Sequence, residues 1–277
     1  MAELEPSSTA IARPASPLVE ARFAGLRRTW DPLVALTMSD LRVRYGRGPW
    51  KLLKWLLDPF AAVGVYLMLV TFVLNRPGRA PGLSVACAVV PFQLVMLTVV
   101  NSISAIRLRR SIILNGGFKR ALIPIASVMT ETIAFGASLT LLAVTMLAYG
   151  IAPTGAIVWL PVLLALNVVF AVSWAYPTAL VGLWFPDLRI FAVSFVRTLF
   201  FLAPGVIALR QIHGNANELL RLNPLTGLFE SYRNVLLYGQ RPAAWMLLIP
   251  LGYATVLAAT FVPIYLREQQ HFAKVVE

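Results

Sequence analysis

Two charges lie inside runs that are otherwise apolar: Glu131 in residues 122–149 and Arg197 in residues 190–209. A charge at the centre of a membrane helix costs about 2.5–3.5 kcal/mol on insertion scales, so it marks a hydrated path, a partner, or a position near the membrane surface. Glu131 falls near one end of its run, where a surface position or a pairing with Arg197 suffices. Arg197 fits a hydrated path as well as a paired charge. Catalytic patterns are missing from the sequence: there is no Asp pair, no His-x-x-x-Asp, no Asp-x-Asp, and no Ser/His/Asp set. The single Cys87 excludes an intrachain disulfide, and with only His213 and His271 there is no Cys/His metal pattern. Residues 114–120, "LNGGFKR", hold two glycines and a lysine without the Gly-x-x-x-x-Gly-Lys-Ser/Thr spacing, and read as a flexible loop. Nucleotide hydrolysis is therefore not expected of this chain, and uphill movement of a cargo would draw on a partner or an ion gradient. The scarcity of further acids inside apolar runs argues against an ion-coupled carrier.

The elements that would position these residues are membrane helices. Of 277 residues, 58% are hydrophobic and 13% charged; soluble domains carry about 25% charged residues. The expected fold is an all-α integral membrane protein. Six runs reach the length of a spanning helix: 56–75, 83–106, 122–149, 156–184, 190–209 and 243–266. Residues 1–30 read as a disordered cytosolic tail without a signal-peptide core, and 31–277 as one transmembrane domain. With the N-terminus inside, the cytosolic segments hold seventeen Lys/Arg and the outer segments six, which places both termini in the cytosol. The net charge of +12 thus reports membrane topology rather than nucleic-acid binding. Residues 42–57, "RVRYGRGPWKLLKWLL", put Arg47, Lys51, Lys54 and Asp58 on one helical face and Trp50, Leu53 and Leu57 on the other. That pattern predicts an amphipathic interface helix on the cytosolic surface. Residues 210–242 are too polar to span, and the spacing predicts two short helices broken at Asn223-Pro224, packed at the outer face or dipping part-way in.

Aromatic residues are plentiful within the spans. Tyr66, Phe195, Phe200 and Phe201, with Arg197 beside them, are candidates to line a pore. Aromatic faces stack on the C–H faces of sugars, although the same residues also pack against lipid. Trp50, Trp55, Trp159, Trp184 and Trp245 fit the interfacial belt.

Several motifs together resemble the ABC-2 type permeases, and within them the polysaccharide-export branch that carries O-antigen, capsule, teichoic acid or galactan. "DLRVRY" (40–45) is similar to that family's Asp-Leu-Lys-x-Arg-Tyr before span one, and Pro59 to the proline that opens the span. "LNPLTGLFESYRNVLL" (222–237) is similar to its Asn-Pro-Leu-Thr segment with a following arginine. Asp187, Pro204 and "EQQHFAKVV" also match, whereas Gly48-Pro49-Trp50 and Pro186 depart from the pattern. The resemblance covers about residues 30–277. It implies a homodimer, with two copies of a separate nucleotide-binding subunit that carries ATP and Mg, and no cofactor in this chain. It also implies a cargo of lipid-linked glycan in the bacterial inner membrane. Arg42, Arg44, Arg47, Arg107, Arg109, Arg110, Lys119 and Arg120 would contact that ATPase subunit or the diphosphate head group, while also serving the positive-inside rule. Asn223, Pro224 and Arg233 would form an outer gate. An Ala/Val/Arg-rich, Lys-poor composition suggests a GC-rich bacterium of actinobacterial type, and the expectation of galactan among the glycans rests on that source alone. An ABC-2 exporter of a drug or lipid, and a membrane-embedded transferase acting on lipid-linked sugar, are the alternatives.

Overall fold

The computed structural model of the chain describes residues 30–43, 46, 50–73, 79–110, 113, 119–185, 187–212 and 214–272. Residues 1–29 of the predicted tail, Arg44, Arg47, His213 and most of the 114–120 loop lie outside these, and residue 30 already belongs to a helix. Every regular element among the described residues is helical: α1 (30–43), α2 (Trp50–Met68), α3 (Pro81–Leu108), α4 (Leu122–Ala148), α5 (Leu160–Trp184), α6 (Leu188–Leu202), α7 (Asn215–Arg221), α8 (Pro224–Tyr232) and α9 (Ala244–Glu268). Wide π-helical turns continue α2 over Leu69–Val73 and α8 over Arg233–Leu237, and a tight turn, Gly155–Trp159, leads into α5.

Four of these helices are long and apolar enough to cross a membrane: α3, α4, α5 with its leading turn, and α9. The other two predicted spans are built differently. α2 begins at Trp50, ahead of the run at 56–75, and its first half includes Lys51, Lys54 and Asp58. α6 has 15 residues, which is about 22 Å of helix against roughly 30 Å of hydrocarbon. It stops because Ala203, held extended before Pro204, leaves the helix.

The single interface helix expected over 42–57 is divided. α1 ends at residue 43, and Gly46 follows in a left-handed conformation (φ 74°) with its N–H bonded to the Arg42 carbonyl at 2.9 Å. Glycine adopts that backbone without a Cβ penalty and so ends helices. The Trp/Lys stretch from residue 50 onward is the first part of α2 itself.

α3 occupies the centre, packed by α2, α4, α5, α6 and α8. A helix that is apolar on all sides suits such a position, and 78% of its most apolar window is buried. α9 is comparably apolar, yet only 11% of its window is buried; lipid accepts an apolar face as readily as protein does. α5 lies close against α3 at Gly182, where a Cβ would lie 1.9 Å from the Ile103 carbonyl oxygen of α3. Among the long helices α4 runs opposite to α3, α5 and α9, and their termini define two ends. At one, Arg120 donates to the Gln269 carbonyl (2.7 Å). At the other, the Gly82 N–H donates to the Tyr149 hydroxyl (3.1 Å).

Candidate functional site

The segment between α6 and α9 turns back into the bundle. Asn223 stands in an extended conformation and its Oδ1 accepts the Leu225 N–H at 3.0 Å, capping α8, with Pro224 at the first helical position. Asn223, Pro224 and Leu225 line a cavity of about 370 Å³ together with Val95 and Val99 of α3 and Tyr253 of α9. Val95 is fourteen residues into the 28-residue α3, so the cavity lies at mid-length of the bundle. Phe170, Trp174 and Phe195 supply its aromatic walls. Its surface is almost wholly apolar, which suits a hydrocarbon or the C–H face of a ring, not acid–base chemistry.

What holds this re-entrant backbone is a buried ion pair. Arg233 is fully buried, and its Nη1 donates to Glu230 Oε1 at 2.7 Å. The same guanidinium donates to the carbonyls of Ser84 (3.1 Å), Pro204 (2.6 Å) and Gly205 (2.8 Å). Glu230 also accepts the Leu209 N–H at 2.9 Å. Non-helical backbone at 203–209 has carbonyls and amides with no helical partner, and the pair satisfies them from the side. The fork of donors on arginine suits this, since one side chain reaches three separate carbonyls. Beyond it, Arg210 lies 4.0 Å over the Tyr238 ring. Burial, together with the nearby Glu230 charge, raises the pKa of the Tyr238 phenol.

An aromatic cluster sits beneath the anchor. Phe200 packs on Phe92 (centroids 4.7 Å apart), Tyr66 (5.1 Å), Phe201 (5.6 Å) and Phe229 (5.7 Å). It joins α2, α3, α6 and α8 at one point.

The opposite end is tied by arginines. Arg109 is 6% exposed. It pairs with Asp40 of α1 and donates to the Ala105 carbonyl (3.2 Å) and to Ser127 Oγ (3.4 Å). α1 docks through Leu33, Thr37 and Leu41, a stripe at helical spacing. Arg107 donates to the Leu183 carbonyl at 3.5 Å, and Tyr265 of α9 donates to the Arg120 carbonyl at 3.1 Å.

Among the candidate pore residues, Tyr66, Phe200 and Phe201 are brought together, with Phe200 buried and Phe201 exposed. Phe195 is exposed and lines the mid-bundle cavity, and Arg197 is exposed on α6. Glu131 is buried and accepts a hydrogen bond from Asn101 Nδ2 at 2.7 Å. It therefore lies inside the bundle rather than at a surface. Asn223 and Pro224 form the helix start already described, while Arg233 is the anchor. Arg42, Arg110 and Lys119 are exposed at the arginine-tied end, whereas Arg109 is buried and Arg120 half-buried. Glu230 and Asn101 were not singled out from the sequence, and Asp40 stood out only as the first residue of the 40–45 motif. The i, i+3 spacing of Glu230 and Arg233 in "FESYR" was a signal for the pair. Nothing local signals that Asp40 and Arg109 meet across 69 positions.

These helices define a multi-pass, all-helical membrane protein. Two comparisons place it further. The chain is 26% identical over 245 residues to the O-antigen export system permease protein RfbA of Myxococcus xanthus, covering 87% of this chain and 94% of that protein. It is 24% identical over 211 residues to the permease of the same name from Klebsiella pneumoniae, covering 76% and 82%. No family model matches. The resemblance to ABC-2 type polysaccharide-export permeases, first visible in the motifs, is thus a similarity along most of the chain.

Proposed function

We propose that this chain is the transmembrane subunit of an ATP-driven exporter that moves a polyprenyl-diphosphate-linked polysaccharide, of O-antigen, teichoic acid or galactan type, across the bacterial inner membrane. The observation that carries this is the similarity to O-antigen export permeases over 87% of the chain. Two copies would enclose the path, each docked on a nucleotide-binding subunit that holds ATP and Mg, so the chain itself is not catalytic. α2 with its π-turn, and α6 with residues 203–208, would complete six crossings. The excess of Lys/Arg on one side supports both termini in the cytosol. In that orientation Arg42, Arg107, Arg109, Arg110, Lys119 and Arg120 lie on the ATPase side, and the loops around Arg233 lie outside. Tyr66, Phe195, Phe200 and Phe201 would face the glycan or brace the helices that do. The Asn223-Pro224 start of α8 would act in the outer gate, with Arg233 holding its frame.

The test is purification of the tagged chain from its host in gentle detergent, with mass spectrometry of what accompanies it. A stoichiometric subunit carrying a phosphate-loop motif, together with bound polyprenyl glycan, is the expected result. A chain recovered alone, under conditions that keep known ABC complexes whole, would overturn the proposal.

A further inference from the structure

Three loops meet where α3 begins, and they enclose a second cavity of about 390 Å³. It is lined by Arg79 and Ala80, by residues of the 149–154 loop, and by residues 236–239. Its size falls within the roughly 300–1,000 Å³ of small-ligand sites. Unlike the mid-bundle cavity, it has both polar and apolar walls.

Its walls are held in place. Each loop has a residue in the left-handed region: Ala80 (φ 43°), Gly150 (φ 63°) and Gly239 (φ 64°). Ala80 is the only non-glycine with positive φ among the described residues, and such strain persists where the surroundings impose it. The Tyr149 hydroxyl is fixed by the Gly82 N–H at 3.1 Å. Thr154 presses on Gly239, where an added Cβ would lie 2.8 Å from its methyl carbon.

The charged side chains at the cavity itself are arginines, although the Glu230 charge reaches Tyr238. Arg79 is exposed at the rim. Arg210 covers the Tyr238 ring and is held by two neutral acceptors, Asn234 Oδ1 (3.0 Å) and Gln240 Oε1 (2.7 Å). Neither arginine has an acidic partner among the described residues, and the cavity lining contains no acid. The nearby Glu230 is engaged by Arg233. The start of α3 adds the partial positive charge of a helix N-terminus.

We propose that this cavity binds a saccharide unit bearing a carboxylate or phosphate. Arg79 takes the anion through its planar fork. The rings of Tyr149 and Tyr238 pack against the C–H face of the sugar. Thr154 and the loop peptides bond the ring hydroxyls. The choice of a saccharide over another small anion rests on the glycan-export reading. The cavity itself does not, and binding can be measured on the isolated chain.

The experiment uses the full chain in nanodiscs of zwitterionic lipid. Tetragalacturonate is titrated calorimetrically, beside a neutral tetrasaccharide and inorganic phosphate. Saturable binding of the acidic oligomer is expected, at least about tenfold tighter than either control, the worth of one charge-assisted contact. Arg79→Gln, at an exposed position, should keep the wild-type elution profile and weaken binding by about tenfold. Tyr238→Leu should weaken it as well. The proposal is overturned by any of four results: no saturable binding, equal affinity for the neutral oligomer, equal affinity for phosphate alone, or full affinity in Arg79→Gln. None of these outcomes depends on whether an ATPase accompanies the chain, so failure here is separable from failure of the exporter proposal.

Discussion

Replacing Arg233 by Met isolates what the buried pair does. The substitution removes the partner of Glu230 and leaves the carbonyls of Ser84, Pro204 and Gly205 without a donor. Breaking a buried pair by removing one member costs about 3–5 kcal/mol, because an uncompensated charge stays behind. Stranded carbonyls add to this, about 1–3 kcal/mol each at most and not additively. Taking the pair alone, at about 2–4 °C per kcal/mol for a chain of this size, the unfolding midpoint should fall by roughly 6 °C or more. The assay is thermal unfolding in nanodiscs followed by intrinsic fluorescence. Glu230→Leu combined with Arg233→Met should be less destabilised than the sum of the single changes, by about 0.5–3 kcal/mol, because no charge is left alone. A midpoint within about 2 °C of wild type for Arg233→Met, or strict additivity in the double variant, would refute the anchoring role.

Gly182→Ala places a Cβ 1.9 Å from the Ile103 carbonyl, so α3 and α5 must separate; a cost of about 3 kcal/mol is expected, read as loss of monodisperse protein on gel filtration. Phe200→Ala removes a buried ring from four aromatic contacts and should cost about 3–5 kcal/mol. Phe201→Ala, at 61% exposed, should stay within about 0.5 kcal/mol, the same thermal assay checking both. Asp40→Asn leaves the buried Arg109 guanidinium without its anion. With Asp40 partly exposed the cost should be about 1–2 kcal/mol, detected as faster tryptic cleavage at Arg42 when α1 lifts from the bundle.

Hydropathy and motif spacing were enough to define the class of the molecule and most of its long helices. Runs of apolar residues define α3, α4, α5 and α9 within a few positions, because a helix satisfies its own backbone wherever water is excluded. The break at Asn223-Pro224 was legible for a local reason: an asparagine cap and a proline at the first position act within one turn. The motifs around Asp40 and Asn223 pointed to the permeases that most of the chain resembles.

Which faces of those helices turn inward became visible only in the folded chain. In a membrane chain lipid is as apolar as the core, so periodicity does not separate buried Phe200 from exposed Phe201. Nor does a count of positive charges separate Arg109, buried on Asp40, from Arg110 and Lys119, exposed at the same end. The division of 42–57 depended on Gly46 taking a left-handed conformation, and the path of the chain after α6 on where Pro204 and Gly205 present their carbonyls to Arg233. Ser84, which completes that anchor, lies 149 positions away. A buried charge is stable only where partners converge on it, and that convergence belongs to the folded chain.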